Sequence, residues 1–255
     1  MDDAAPHQAL PGGNVGGAVR IGDTVRRPTG PWTPAVHALL RHLEQAGLDG
    51  VPRVLGIDDQ RREILSYLSG AGADVDPETL PDRLLADAAQ WLRRFHDVVR
   101  SFRPAGPVQW RGGTSTLADD QIICHHDPGN YNWIVDGHRL VGVIDWDMAA
   151  PGQPIDDLAF MAWNAAPLYR PRPAVEVADR LRVLASAYGD VDPRLLLDHA
   201  VTRIQRATDR IEAGQRDGDP GMLNLAAIGE PARTRTRIAE FRERLPDIRR
   251  NVSTR

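Results

Sequence analysis

The sequence predicts an α+β fold in which a small sheet region precedes a larger helical region. Short apolar runs separated by glycine and proline fill the first third of the chain, whereas the remainder shows apolar residues at the spacing of amphipathic helices. Strands and helices are therefore segregated along the chain, which is typical of α+β proteins. We expect an N-terminal lobe over residues 1–68 and a C-terminal lobe over residues 69–255, divided by a segment rich in Gly, Pro and Asp.

Turn and cap signals place the elements of the first lobe. The predicted strands cover residues 8–10, 18–21, 24–28, 53–58 and 63–68. A two-residue turn at Gly22 and Asp23 joins the second strand to the third. A helix between the third and fourth strands is expected to start with Thr33 as its N-cap and to end at Gly47.

The second lobe is predicted to be helical apart from one hairpin. A long helix follows Pro81, and the hairpin turns at Asp136 and Gly137. Four or five further helices follow, of which the best bounded cover residues 173–189 and 193–214.

Composition excludes several classes of protein. With 255 residues, 42% apolar and 26% charged residues, the chain has the composition of a soluble globular protein. It has no apolar run long enough for a membrane span and no signal-peptide pattern, and its single cysteine, Cys124, suits a reducing compartment, so we expect a cytoplasmic location. A net charge of −4 argues against nucleic acid as a partner, despite a local excess of arginine near the C-terminus. A monomer is compatible with the sequence, which does not reveal the oligomeric state.

The chain contains no lysine, so all 31 of its lysine and arginine residues are arginine. Any role that a lysine usually has must therefore be taken by an arginine.

One hairpin of the sequence carries the functional prediction. His125, Asp127 and Asn132 form an H-x-D-x-x-x-x-N pattern, and Asp145 follows on the returning strand. The turn between them folds the chain back, so that Asp145 is expected beside Asn132 and near Asp127. Oxygen ligands of this kind suit Mg²⁺ with substrate phosphates, and the remaining carboxylate, Asp127, could receive a proton from an attacking hydroxyl group.

This segment resembles the catalytic loop and metal-binding segment of the aminoglycoside phosphotransferase family, which is related to the protein kinases. Residues 124–132, CHHDPGNYN, are similar to the family's H-G-D-x-x-P-x-N type of loop, and residues 144–147, IDWD, stand where protein kinases have D-F-G. The resemblance implies a protein-kinase-like two-lobe fold. The residues that it implies for the active site are Asp127 as catalytic base, His125 as the brace of the loop, and Asn132 and Asp145 as metal ligands.

Neighbouring residues leave alternatives open. His126 is not required by the motif and is expected at the surface or behind the site, and Asp147 is either a ligand of a second metal or substrate, or a hydrogen-bonding residue at the end of the hairpin. Asp156 and Asp157 are expected to cap a helix. The resemblance adds that Asp157 steadies the catalytic loop.

The same resemblance implies a nucleotide site for ATP or GTP in the first lobe. Glycine residues between the first two strands match a phosphate-binding loop. The cation that would hold the phosphates is expected to be Arg26, with Arg27 on the opposite face of the strand as the alternative. The usual glutamate partner is missing from the early turns of the helix, where His37 stands. The residues expected to bind nucleotide are Gly12, Gly13, Gly16, Gly17, Arg26, Ser66 and Leu68.

We therefore expect an ATP- or GTP-dependent phosphotransferase that uses Mg²⁺ and modifies a hydroxyl group of a small molecule, such as an aminoglycoside or another alcohol. One alternative is a module that binds nucleotide or a partner without turnover, because the usual lysine and glutamate are missing. A smaller alternative is a metal-dependent phosphohydrolase, because the same ligands can activate water.

Overall fold

The computed structural model describes residues 7–10, 17–72, 80–189 and 191–253. Its strands in the first lobe are β1 (His7–Ala9), β2 (Val19–Ile21), β3 (Thr24–Pro28), β4 (Val54–Ile57) and β5 (Arg62–Ser66). They form an antiparallel sheet in the order β1-β2-β3-β5-β4. The predicted strands are confirmed to within two residues at each end.

Helix α1 (Thr33–Gln45) crosses from β3 to β4. One of its faces buries Leu39, Leu40 and Leu43 completely, as the apolar spacing predicted. The helix begins at Thr33, so the prediction of Thr33 as its N-cap was wrong by one residue. The physical reason is that the Thr33 hydroxyl accepts a hydrogen bond from the backbone N–H of Gly30, at 2.9 Å, and does not point into the first helical turn.

The second lobe is built from helices, which confirms the α+β order. They are α2 (Asp82–Val99), α3 (Pro154–Ala165), α4 (Ala174–Gly189), α5 (Pro193–Arg216), α6 (Pro220–Ala226) and α7 (Ala232–Ser253). Helix α2 packs on α4, α3 packs on α5, and α7 covers both α4 and α5. No helix in the described ranges combines the length and the apolar character that a bilayer span needs.

Short strands connect the helices to the site. Strands β6 (Ala71–Gly72), β10 (Trp133–Asp136) and β11 (Arg139–Val143) form one small sheet, β9 (Ile122–Cys124) pairs with β12 (Ala150–Gly152), and β7 (Val108–Trp110) pairs with β8 (Gly113–Ser115). The β10–β11 hairpin confirms the predicted one, although its turn residues are Gly137 and His138 and not Asp136 and Gly137, because Asp136 still pairs with Arg139. Strands β7, β8 and β12 were not predicted, because three residues are too few to show alternation.

The two lobes touch backbone to backbone at a pair of glycines. The N–H of Val143 in β11 donates to the carbonyl oxygen of Gly50, at 2.9 Å. A Cβ atom on Gly142 would lie 2.3 Å from that oxygen and 2.7 Å from the Gly50 Cα. Gly50 also has a φ of +79°, which residues with a side chain rarely adopt. This contact fixes the first lobe against the hairpin that carries the motif.

We expect Gly142→Ala to lower the free energy of unfolding by about 1–3 kcal/mol, because the new methyl group would push the two backbones apart. Urea denaturation followed by circular dichroism measures the change. The matched control is Gly106→Ala, where a Cβ would meet no atom within 4 Å, and the expected change is below about 0.5 kcal/mol. Equal stability of the two variants would contradict the close approach of Gly50 and Gly142.

Candidate active site

A buried carboxylate holds the H-x-D loop. Asp157, on the first turn of α3, is fully buried and accepts hydrogen bonds from the backbone N–H groups of His125, at 2.8 Å, and His126, at 2.7 Å. His96 of α2 approaches the same carboxylate through Nε2, at 3.1 Å. Burial opposes ionisation of Asp157, but the hydrogen bond with His96 and the nearby histidines outweigh it and lower its pKa well below the ordinary value. The structure therefore places Asp157 as the support of the loop.

His125 links the loop to the IDWD segment. Its Nδ1 accepts a hydrogen bond from the backbone N–H of Asp127, at 3.2 Å. The ring proton therefore lies on Nε2, which donates a hydrogen bond to the carbonyl oxygen of Ile144, at 3.2 Å. Its ring also packs on Trp146, with centroids 4.6 Å apart. Burial lowers the pKa of His125 and keeps the ring neutral. These contacts hold the loop against the IDWD segment. Both ring nitrogens of His125 are engaged, so neither is free to bind substrate.

Asp127 is surrounded by hydrogen-bond donors. The hydroxyl of Tyr131 donates to one carboxylate oxygen, and Nδ2 of Asn132 donates to the other, at 3.2 Å. Burial raises the pKa of Asp127 to about 7, although the hydrogen bond from Tyr131 opposes the rise. A carboxylate with such a pKa can both take and hold a proton near neutral pH.

Tyr131 covers Asp127 with its ring, and Gly129 allows it to do so. A Cβ atom on Gly129 would lie 2.5 Å and 2.6 Å from two carbons of the Tyr131 ring. Tyr131 as a whole remains 49% exposed. Sequence reasoning did not identify Tyr131, because a tyrosine in a loop gives no signal of its own.

Asn132 and Asp145 lie at the same edge of the hairpin, as the spacing predicted. The N–H of Ile144 donates to the carbonyl oxygen of Asn132, at 2.9 Å, which places the next residue, Asp145, beside Asn132. Asp145 has a left-handed backbone with a φ of +63°, and its side chain is 33% exposed. Within the described part of the chain, Oδ1 of Asn132 accepts no hydrogen bond, because the amide is held through Nδ2. A free amide oxygen next to a partly exposed carboxylate fits the oxygen ligands that Mg²⁺ prefers.

Arg27 faces the cleft from β3, whereas Arg26, which was expected to hold the phosphates, does not. Arg27 forms ion pairs with Asp145, at 3.5 Å, and with Asp147. Arg26 points to the other face of β3, where it lies 3.7 Å from Asp58. Alternation predicted that only one of the two faces the cleft, but the face itself depends on how β3 pairs with its neighbours, which the sequence does not show.

The partner of Arg27 comes from a strand and not from the helix. Glu63 of β5 lies opposite Arg27 in the sheet and binds its Nε through Oε1, at 2.5 Å. His37 of α1 binds the other oxygen of Glu63, at 2.7 Å. Burial opposes the charge on Arg27, but Asp147, Asp145 and Glu63 outweigh it and raise its pKa further. His37 is therefore a buried link between α1 and the arginine, and Glu63 is a residue that sequence reasoning missed.

A second arginine reaches the same cleft. Arg111, in the turn between β7 and β8, lies 3.4 Å from the second oxygen of Asp147 and 3.0 Å from Asp219, next to α6. Its guanidinium also stacks over the ring of Trp32, 4.6 Å from the centroid. Asp147 is thus paired with Arg27 and Arg111, an arrangement that neither sequence alternative anticipated. Nothing in the local sequence of Arg111 indicated its position.

Part of the expected nucleotide site lies outside the described residues. This holds for Gly12, Gly13 and Gly16, whereas Gly17 is described and has a φ of +79°. Ser66 ends β5, and its hydroxyl accepts the backbone N–H of Arg53, at 2.8 Å. The structure brings Ser66 and Leu68 to the end of the strand that carries Glu63.

Two further residues beside the motif have structural contacts. His126 is buried and has a φ of +63°, with Nε2 3.2 Å from the carbonyl oxygen of Pro151, so it lies behind the site and not at the surface. Cys124 is fully buried, as expected of a packing residue, and burial raises the pKa of its thiol. Asp156 caps α3 through the N–H of Gln153, at 3.1 Å, which confirms its predicted role.

Comparison with known proteins gives matches in sequence and in fold. The phosphotransferase enzyme family, APH, matches residues 109–194. The trifolitoxin immunity protein of Rhizobium leguminosarum bv. trifolii is 34% identical over 202 residues, which are 77% of this chain and 75% of that protein.

Solved structures are similar over most of the chain. Amicoumacin kinase hAmiN, in complex with AMP-PNP, Ca²⁺ and Ami, gives a TM-score of 0.60 with 12% identity, covering 94% of this chain and 88% of that chain. The gentamicin complex of APH(2")-IIa gives a TM-score of 0.58 with 16% identity, covering 87% and 90%. These similarities confirm the predicted protein-kinase-like two-lobe fold.

We expect Asp157→Asn to lower the free energy of unfolding at pH 7 by roughly 3 kcal/mol, because an amide cannot accept from both N–H groups and from His96 as a carboxylate does. The folded-state pKa of Asp157 is depressed, so its contribution is fully present above the ordinary carboxyl pKa and is lost as the pH falls. The difference between wild type and variant should therefore be constant from about pH 7 to pH 5 and shrink below about pH 4.

Denaturant titrations at several pH values provide the measurement. Asp156→Asn is the matched control, since Asp156 caps the same helix and its loss should cost only about 1 kcal/mol. A difference for Asp157→Asn that grows as the pH falls would contradict this role of Asp157.

Proposed function

The chain belongs to the aminoglycoside phosphotransferase family, and from this premise we propose that it transfers the γ-phosphoryl group of ATP or GTP to a hydroxyl group of a small molecule. One observation carries the proposal. Asp127 already accepts a hydrogen bond from a hydroxyl group, that of Tyr131, which is the kind of contact that a general base makes with an attacking alcohol. The acceptor hydroxyl would take the place of the Tyr131 hydroxyl.

Asp127 would act as the general base. Its pKa of about 7 suits the removal of a proton from the acceptor as the bond to phosphorus forms. The side-chain amide of Asn132 donates hydrogen bonds to the carboxylate of Asp127 and, at 2.9 Å, to the backbone carbonyl oxygen of Asp127. These bonds would fix the direction of proton transfer. His125 and Asp157 act behind it by fixing the loop.

Asn132 and Asp145 would hold Mg²⁺, which when bound neutralises charge on the β- and γ-phosphates. The free Oδ1 of Asn132 and the partly exposed carboxylate of Asp145 support this assignment. Arg27 forms an ion pair with Oδ1 of Asp145 in this structure. Its guanidinium would turn from Asp145 towards the phosphates when nucleotide binds. Glu63 would keep the arginine in the cleft during that movement.

The remaining nucleotide contacts are proposed from position. The glycines at 12, 13, 16 and 17 would cover the phosphates through backbone N–H groups. The backbone of residues 66–68 would hold the purine, and the N–H of Leu68 makes no hydrogen bond within the described ranges. A fold relative solved with AMP-PNP supports a nucleoside triphosphate as donor.

The names of the relatives support an antimicrobial compound as the acceptor. The sequence relative is an immunity protein, and the two fold relatives are a kinase for amicoumacin and a protein solved with gentamicin. Other alcohols, sugars and amino alcohols belong in the same screen. We propose a cytoplasmic enzyme that carries its acceptor in the cleft beneath Tyr131.

A second function, binding without turnover, is favoured by the ion pairs of Arg27. The arginine neutralises both carboxylates of the IDWD segment, and Arg111 occupies the second oxygen of Asp147. A protein that gives immunity by binding a toxin needs no metal at that position. The first function is preferred because Asp127, Asn132 and Asp145 are all in place.

We expect wild-type protein to release ADP or GDP in the presence of Mg²⁺ and a panel of hydroxylated antibiotics, sugars and amino alcohols. Asp127→Asn should lower kcat by about 10²- to 10⁴-fold with little change in nucleotide affinity, because the base is lost while the phosphate contacts remain. Asp136→Asn, at the exposed end of β10, is the matched control and should retain activity. A panel without turnover, in which Asp127→Asn and wild type bind nucleotide equally, would support the binding function instead.

We expect Arg27→Gln to weaken nucleotide binding by about tenfold or more, since a charge-assisted contact to phosphate contributes about 1.5–3 kcal/mol. Arg27→Lys should retain part of the affinity because it keeps the charge. Isothermal titration with a non-hydrolysable nucleotide and Mg²⁺ gives the dissociation constants. Arg26→Gln is the matched control and should change affinity less than twofold, so an equal loss in both variants would contradict the assignment of Arg27.

A further inference from the structure

One face of α5 turns a row of arginines towards the catalytic loop. Arg203, Arg206 and Arg210 follow at spacings of three and four residues, which places them on one side of the helix. Arg203 is only 2% exposed and donates through Nη2 to the carbonyl oxygen of His126, next to Asp127. Arg206 binds Asp156 at the start of α3, at 3.1 Å. This face therefore borders the loop that carries the proposed base.

Arg203 brings a positive charge to the site, and it forms no ion pair with a carboxylate of the described residues. Its one hydrogen bond goes to a carbonyl group, and its Nε is buried without a partner in the described structure. Its guanidinium stacks on Phe160, 4.7 Å from the ring centroid, which fixes the position of the charge. Arg203 thus supports the loop from a buried position, and the carboxylates of Asp157, Asp156 and Asp127 act on its charge.

Arg210 is the member of the row with a free guanidinium. It is partly buried, and it forms neither a hydrogen bond nor an ion pair with any described residue. Helical side chains lean towards the N-terminus, so Arg210 leans back towards the turn that carries Arg206 and towards the loop. Two acidic residues that follow Arg210 in the chain are engaged elsewhere, because Glu212 binds Arg235, at 2.7 Å, and Asp219 binds Arg111.

The charges around Arg210 favour the approach of an anion. Burial and the neighbouring Arg203 lower the pKa of Arg210 to about 10, and Asp127 and Asp156 only partly offset them. The guanidinium remains charged at neutral pH without a direct counterion. A partly buried charge of this kind is stabilised by any anionic group that can reach it.

We propose that Arg210 binds a carboxylate, phosphate or sulfate group of the acceptor, so that the hydroxyl compound phosphorylated by this chain is an acid and not a polycation. The inference rests on the proposed function, since it names the class of acceptor for that site. Two arginines beside the base would repel an aminoglycoside with several ammonium groups. They would also orient an acidic acceptor, with its anion on α5 and its hydroxyl on Asp127.

The test compares acceptors of similar size but different charge. Glycerate and glycerol 3-phosphate represent acids, glycerol is the neutral compound, and ethanolamine and kanamycin represent cations. Release of ADP or GDP gives kcat and KM for wild type, Arg210→Gln and Arg216→Gln. Arg216 is the matched control, because it is exposed on the last turn of the same helix.

The expected result has three parts. The acids should exceed glycerol and the cations in kcat/KM by about tenfold or more. Arg210→Gln should raise the KM for acids by about 10- to 100-fold, with the nucleotide dissociation constant changed less than twofold. Arg216→Gln should behave as wild type.

Other outcomes overturn the inference in distinguishable ways. Turnover that is best with kanamycin or ethanolamine overturns it and leaves the proposed function intact. If Arg210→Gln raises the nucleotide dissociation constant and not the acceptor KM, the anion on Arg210 is a phosphate of the nucleotide and the acceptor assignment is wrong.

If no acceptor is turned over and nucleotide does not bind, the proposed function fails, and direct titration of glycerol 3-phosphate then decides on the anion site. Binding that Arg210→Gln weakens by tenfold supports the site. Absence of binding, or equal binding to both proteins, overturns it.

Discussion

The Asp157 carboxylate accepts hydrogen bonds from two successive backbone N–H groups of the H-x-D loop. The geometry of the whole site depends on this interaction. Backbone groups in a loop without regular pairing need such a partner when they are buried. With His125 and His126 held, Asp127 projects from the following position, and the ring of His125 passes the same constraint to Ile144. One buried charge on α3 therefore sets the relative position of the base and of the segment that carries Asp145.

The absence of lysine reshapes the other half of the cleft. A lysine ammonium is a single point of charge, whereas the guanidinium of Arg27 has several N–H groups and contacts Glu63, Asp145 and Asp147 together. Such an arrangement draws the sheet of the first lobe onto the IDWD segment of the second. The glutamate that holds the arginine can then lie on β5, since the wider fork reaches across the sheet, and the helix needs only His37 to contact it.

The sequence was sufficient for features that depend on local order. The hairpin with Asn132 and Asp145, the α+β arrangement and the long helices follow from turn chemistry and periodicity, which act over a few residues. Features that depend on strand register or on distant packing were out of reach. Arg27 and not Arg26 faces the cleft because of the pairing of β3 with β5, and Arg111 reaches Asp147 from a hairpin too short to be predicted. Tyr131 could be found only from its contact with Asp127, because its neighbours in sequence do not indicate where its ring points.

Gly129 bears on how the proposed reaction would avoid hydrolysis of the nucleotide. Because this residue lacks a side chain, the ring of Tyr131 can lie next to it, with the hydroxyl on the carboxylate of Asp127. In the proposed reaction, the Tyr131 hydroxyl would occupy the carboxylate of Asp127 until an acceptor displaces it, so that a bound triphosphate would be less exposed to hydrolysis. Discrimination between an alcohol and bulk water would thus depend on the lack of a Cβ atom at position 129, which leaves room for the Tyr131 ring.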